Sequence, residues 1–169
     1  SNITPILTDN PKHTKILEMA GKLGAKLGIP TFIVGGFVRD KLMNRHTNDI
    51  DIMVEGDGVD FAKKLAKELK INTVVDYQKF GTALIPHSDM EIEIATARKE
   101  TYSPDSRKPK VVSCSVSEDM SRRDFTVNAI AASILPDSFG EMIDPFGGIQ
   151  DMQKGILVTP LDPDDTFSD

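Results

Sequence analysis

The chain predicts an α/β (α+β) fold in which a mixed sheet carries flanking helices, and three features of the sequence predict it. Apolar residues recur at helical spacing over 12–27 and again over 61–69. Short β-rich runs lie between and after these stretches, two of them alternating strictly between charged and aliphatic residues. Glycine-rich turns separate the two kinds of segment, so helices have to pack against a sheet rather than against one another alone.

In chain order, Ile16, Leu17, Met19, Ala20, Leu23 and Leu27 form the apolar face of a first helix, and Gly28 with Pro30 stops it. Thr31 to Val34 reads as a short strand that ends in Gly35-Gly36, with a short helix opening near Val38. The run Asp49-Ile50-Asp51-Ile52-Met53-Val54 is a second strand, and Gly56-Asp57-Gly58 turns the chain into a helix faced by Phe61, Ala62, Leu65, Ala66 and Leu69. Val74-Val75, Thr82 to Ile85 and Glu91 to Ala95 read as further strands. Residues 99–118, rich in Ser, Pro and charge, read mostly as a loop. Phe125, Val127, Ala129, Ile130, Ala131 and Ile134 suggest another helix, followed by the turn Asp144-Pro145-Phe146-Gly147-Gly148 and a last strand from Ile156 to Val158.

At 169 residues the chain can bury one substantial core but not two large independent ones. Its 39% hydrophobic and 27% charged residues are those of an ordinary globular domain. The single Cys114 excludes an internal disulfide and a cysteine metal cluster. No apolar run approaches the roughly 20 residues a membrane helix requires, and no export segment opens the sequence, so a reducing cytoplasm is the expected setting and no membrane is an expected partner. A net charge of −6 argues against a polyanion grip spread over the whole surface. The cations that could meet a polyanion gather between Arg98 and Arg123.

Asp49 and Asp51 are the first candidates for chemistry. On a strand they share one face while Ile50 and Ile52 share the other, and their Cα atoms lie about 6.6 Å apart. That spacing lets their oxygens share two divalent ions roughly 3.5–4 Å apart. The plainer alternative is a solvated outer face. In Gly35-Gly36 the missing Cβ atoms let a phosphate approach backbone N–H groups, although a simple tight turn also explains them; Arg39, one turn on, can add a bidentate phosphate donor. Glu91 and Glu93 alternate in the same way, and Glu93 is a candidate third carboxylate. His13, His46 and His87 lie in unrelated contexts and read as surface residues, and Cys114 has no nearby histidine to activate it.

The segments IVGGFVRD, NDIDIMV, EIATAR, SRRDFTVNAIA and IDPFGG, in this order, resemble the class II tRNA nucleotidyltransferases and bacterial poly(A) polymerases, the CCA-adding and A-adding enzymes of the polymerase-beta superfamily. The resemblance runs from about Phe32 to Val158. It implies a polymerase-beta-like nucleotidyltransferase head over residues 1–169. A base-selecting helix, and the helical neck, body and tail that hold RNA, are expected beyond Asp169.

The activity it implies is template-independent transfer of CMP or AMP from CTP or ATP to the 3′ hydroxyl of tRNA or another RNA, with Mg²⁺ as cofactor. Carried over by residue, Asp49 and Asp51 are the catalytic metal ligands. Gly35, Gly36, Arg39, Arg123, Asp124 and Asn128 bind the nucleotide. The alternatives are a poly(A) polymerase, an enzyme adding only CC or only A, a noncatalytic nucleotide-binding module of the same fold, and a small-molecule nucleotidyltransferase. The intact Asp pair argues against the module, and SRRDFTVNA argues against the last.

Overall fold

The computed structural model describes residues 2–101, 110–120 and 130–143. Within them the order is α1 (Thr4–Leu7), α2 (Pro11–Leu27), β1 (Thr31–Val34), α3 (Gly36–Leu42), β2 (Asp49–Val54), α4 (Gly58–Glu68), β3 (Val75–Tyr77), β4 (Thr82–His87), β5 (Met90–Thr96), β6 (Arg98–Thr101), β7 (Lys110–Ser113), α5 (Val116–Met120), β8 (Ala131–Ser133) and β9 (Met142–Ile143). Seven strands form one sheet in the order β3-β4-β5-β2-β1-β8-β9, and β6 and β7 form a separate ribbon. Only β2 and β5 run parallel; the other neighbours are antiparallel. The predicted mixed sheet with flanking helices is the observed architecture.

The long helix α2 begins and ends where local chemistry dictates. The Asn10 side chain accepts a hydrogen bond from the Lys12 N–H, and Pro11 occupies the first turn, where it costs no backbone bond. Gly28 closes the helix in the left-handed conformation, with φ 69°, returning its N–H to Ala25 and Gly24. Helix α4 starts on Asp57, whose carboxylate accepts from the Asp60 N–H.

One face of the sheet carries the main core. Ile16, Leu17, Ala20 and Leu23 of α2 and Phe61, Ala62 and Leu65 of α4 meet Ile33, Ile50, Ile52, Ile85, Ile92 and Ile94 there, with Phe37 and Val38 of α3. Among the described residues the other face carries a smaller cluster of Phe32, Val34, Met53, Ala97, Val116, Met120 and Ala131. On this face β2 and β5 also carry Asp49, Asp51, Glu91 and Glu93.

Three expectations need correction. Ala131 continues no helix; it opens β8, which pairs with the free edge of β1. Ala131 belongs to the small cluster and Ala132 to the large one, so β8 is buried on both faces, and a continuous apolar run of that kind does not reveal its period.

The described part of 99–118 is not loop: Arg98–Thr101 and Lys110–Ser113 pair as an antiparallel ribbon, and α5 follows. Its start is a capping box, in which the Ser115 hydroxyl accepts from the Glu118 N–H while the Glu118 carboxylate accepts from the Ser115 N–H.

His13 is not a surface residue; it is 2% exposed. It stands three and four residues before Ile16 and Leu17 and therefore lies on the same buried stripe of α2. The helix expected over 125–129 and the strand from Ile156 to Val158 lie outside the described residues.

Candidate functional site

Strand β2 grades from dry to wet along a single face. Met53 is 2% exposed within the small cluster, Asp51 is half-buried and Asp49 is exposed. Alternation keeps Ile50 and Ile52, both buried, on the opposite face. Burial of these two isoleucines fixes the register, because a slip of one residue would put carboxylates into the main core. The shared face predicted for the two aspartates is thus what the core enforces.

Strand β5 doubles the acidic face. Its parallel register pairs Asp49 with Glu91 and Asp51 with Glu93, so four carboxylates stand in two adjacent rows. Among the described residues no group of three His, Cys, Asp or Glu side chains is arranged to hold a metal, so Glu93 neighbours the Asp pair without completing a three-ligand cage. Two carboxylates with oxygen donors only are nonetheless the donor type that hard cations accept, with substrate phosphate oxygens supplying the remaining positions.

Gly35 and Gly36 border this face from the β1 side. A Cβ built on Gly35 would lie 3.8 Å from Asp51 Oδ2, which measures how near the turn comes to the carboxylate. Gly35 has φ 67° and ψ −138°, a conformation open essentially to glycine alone. The backbone, not the available space, therefore requires glycine here. The turn is tied down by the Gly35 N–H donating to the Ile130 carbonyl at 3.3 Å and by the Arg39 N–H donating to the Gly35 carbonyl at 3.1 Å.

The Arg39 side chain folds back over this turn. Its terminal nitrogen would lie 3.2 Å from a Cβ on Gly36, and its Nε contacts Asp40 Oδ1 at 3.2 Å. Helix α3 spans only seven residues. Its dipole is correspondingly small, and the Arg39 guanidinium brings a full positive charge to the turn.

The segment after β5 is held by main-chain contacts to acids near the site. Glu55 Oε1 accepts from the Val116 N–H at 3.2 Å, and Asp119 Oδ2 accepts from the Arg98 N–H at 2.9 Å. Asp119 thus anchors α5 to the start of β6. Arg123, Asp124 and Asn128, expected at the nucleotide, lie outside the described residues. Asp49, Asp51, Gly35, Gly36 and Arg39 are brought together. The anchoring roles of Glu55 and Asp119 went unpredicted, because side chain to backbone bonds across 61 and 21 residues leave no local pattern.

Known proteins resemble this chain over most of its length. Residues 31–158 match the family described as the Poly A polymerase head domain. The A-adding tRNA nucleotidyltransferase of Aquifex aeolicus (strain VF5) is 42% identical over 126 residues, covering 75% of this chain and 15% of the relative. The structure of a CCA-adding enzyme in apo form II superposes with a TM-score of 0.84 at 37% identity, covering 95% of this chain and 38% of that one. A CCA-adding enzyme in complex with ATP gives a TM-score of 0.81 at 34% identity, covering 95% of this chain and 37% of that one. The chain therefore spans well under half the length of each of these proteins. A match over most of the chain makes this protein a member of the poly(A) polymerase head-domain family.

Proposed function

We propose that this chain is the catalytic head of a template-independent RNA nucleotidyltransferase. It transfers CMP and AMP from CTP and ATP to the 3′ hydroxyl of tRNA, building the CCA end and releasing pyrophosphate. The observation that carries this reading is the Asp49 and Asp51 pair on one strand face bordered by the Gly35 turn, in a family whose relatives are named for that chemistry. Residues 1–169 make up the head, and the RNA-holding neck, body and tail belong to the remaining length of the protein. tRNA maturation places it in the cytoplasm.

Gly35, Gly36 and Arg39 hold the triphosphate, the glycines by close backbone approach and Arg39 by its forked donors. Arg123 binds a phosphate as well, and Asp124 and Asn128 position the sugar. Asp49 and Asp51 are the ligands for Mg²⁺, whose preference for carboxylates combined with substrate phosphate oxygens suits this donor set. When bound, the metal supplies Lewis-acid stabilisation of the phosphoryl oxygens and a lowered pKa at the attacking hydroxyl. Arg39 balances the charge that grows on the departing pyrophosphate. Glu91 and Glu93 deepen the negative potential that gathers cations at the Asp pair.

The test uses the protein at its natural full length, with Mg²⁺, labelled CTP and ATP, and tRNA lacking its 3′ terminus. Ordered addition of a few nucleotides is expected, reduced at least about 100-fold in Asp49→Ala and in Asp51→Ala. A long ladder of A alone would make the protein a poly(A) polymerase. No incorporation of any nucleotide by folded protein would overturn the reading. Addition of a terminal A alone is the second reading, favoured by the name of the Aquifex relative, and the same assay separates it by the absence of CMP incorporation.

A further inference from the structure

Four large hydrophobic residues are exposed among those described, and three of them, Val75 at 43%, Tyr77 at 46% and Phe80 at 52%, fall within six consecutive positions. Their place in the sheet connects them to the site. Val75 pairs with Leu84, Leu84 with Glu93 and Glu93 with Asp51, so one row of side chains crosses four strands on a single face. Tyr77 pairs with Thr82, Thr82 with Ala95 and Ala95 with Met53 in the next row of that face. Asp76, between them, points the other way and reaches Lys63 of α4 at 3.6 Å on the covered side of the sheet. Val75 and Tyr77 therefore stand on the carboxylate face, about 14 Å from β2 across three strand spacings.

We propose that this edge is the platform for the RNA strand whose 3′ hydroxyl is extended. The inference rests on the nucleotidyltransferase reading and adds where the RNA runs. Nucleotidyl transfer is an in-line displacement, so the attacking oxygen and the leaving pyrophosphate lie on opposite sides of the α-phosphate. The triphosphate occupies the β1 side of Asp51, at Gly35 and Arg39. The hydroxyl must arrive from the opposite flank, which consists of β5, β4 and β3.

The carboxylates of Glu91 and Glu93 on that flank repel phosphates and so turn the bases of the strand toward the sheet. The aromatic rings of Tyr77 and Phe80 receive them by stacking, a contact that accepts every base. That tolerance is what an enzyme needs when the terminal base of its RNA changes after each addition. The Arg98 guanidinium lies 5.8 Å from the Phe80 ring centroid, where it adds a cation beside the stacked base.

The experiment compares Tyr77→Ala, Phe80→Ala and Tyr77→Phe with the parent in the full-length protein. It measures KM for tRNA lacking its 3′ terminus and, separately, Kd for ATP by calorimetry. Each alanine variant is expected to raise the RNA KM about 5- to 150-fold with Kd for ATP unchanged, while Tyr77→Phe stays near the parent. An unchanged RNA KM in a protein carrying Tyr77→Ala and Phe80→Ala together overturns the platform even if the parent is active. RNA KM and ATP Kd rising together would also overturn it, since that marks a structural effect. A parent dimer that dissociates on these substitutions without a change in RNA KM would instead make the edge a contact between copies. No incorporation by the parent removes the underlying reading and the platform with it.

Discussion

Lys41 Nζ lies 2.9 Å from Nδ1 of His13, inside the protein. An ammonium group only donates, so Nδ1 is the acceptor and the imidazole is neutral with its proton on Nε2. The same ammonium reaches Asp9 at 2.6 Å, while its side chain is only 6% exposed. Phe37 packs edge-on to the imidazole at 5.3 Å and lies under the ammonium at 5.3 Å. Lys41 and Phe37 belong to α3, which also carries Arg39. The buried His13 and Lys41, with Asp9 at the surface, thus fasten the back of the helix whose front borders the acidic strand.

Acid should loosen this fastening. Burial pushes the His13 pKa below its ordinary 6.5, and the Lys41 ammonium adds to the effect; Asp9 and Asp89 oppose it, and His46 assists. The unfolded chain then binds a proton at His13 that the folded chain resists, so stability is full above about pH 6.5 and falls as pH drops through the folded value. Urea unfolding between pH 5 and 7.5 should give a slope that His13→Gln reduces. An identical slope in parent and variant would remove His13 from the account.

Lys41→Met keeps the packing stem and removes the charge. It leaves the Nδ1 acceptor buried without its donor and Asp9 without its ion pair, at an expected cost of about 1–3 kcal/mol. Chemical denaturation measures this directly. A loss below about 0.5 kcal/mol would mean that water replaces the ammonium.

Gly35→Ala and Gly36→Ala should fail for different reasons. The first places a side chain in a backbone conformation worth about 1–3 kcal/mol of strain, and the protein should lose that much stability together with nucleotide affinity. The second crowds the Arg39 guanidinium at 3.2 Å, a flexible group that can swing away. Its stability should change little while triphosphate affinity falls toward that of Arg39→Ala, which should be weaker by about 1.5–3 kcal/mol in titration calorimetry.

Gly21 and Gly28 offer a second contrast. A Cβ on Gly21 would overlap the Ile134 carbonyl oxygen, where backbone meets backbone and neither yields cheaply. Gly28 has nothing within 4 Å but sits at φ 69°. Gly21→Ala should therefore cost about 3 kcal/mol or more and Gly28→Ala only about 1 kcal/mol, both read from thermal melts.

The acidic face should cost the protein stability when no divalent ion is present. Asp49 stands directly beside Glu91 and Asp51 beside Glu93, and like charges paired across strands are unfavourable. Asp49→Asn should raise stability by about 0.2–1 kcal/mol in chelator while abolishing transfer. Adding Mg²⁺ should raise the melting temperature of the parent and not of Asp51→Asn. Equal shifts in both proteins would place the ion elsewhere.

Local pattern alone determined a good deal of this molecule. The faces of α2 and α4, the Gly28 stop, the strand character of Asp49 to Val54 and the pairing of two carboxylates on one side follow from periods of 3.6 and 2 and from residues with restricted backbones. His13 was legible too, because its spacing from Ile16 and Leu17 puts it on the buried stripe, and its polarity is what hid it. Tertiary structure decided which strands became neighbours. Nothing within Asp49 to Val54 announces that Glu91 and Glu93 will lie alongside, that β8 will close the edge of β1, or that Tyr77 will share a face with Asp51. Those relations arise from pairing between backbone groups far apart in the chain, and backbone hydrogen bonds are nearly blind to side-chain identity. Only the burial of the opposite face selects among the registers they allow.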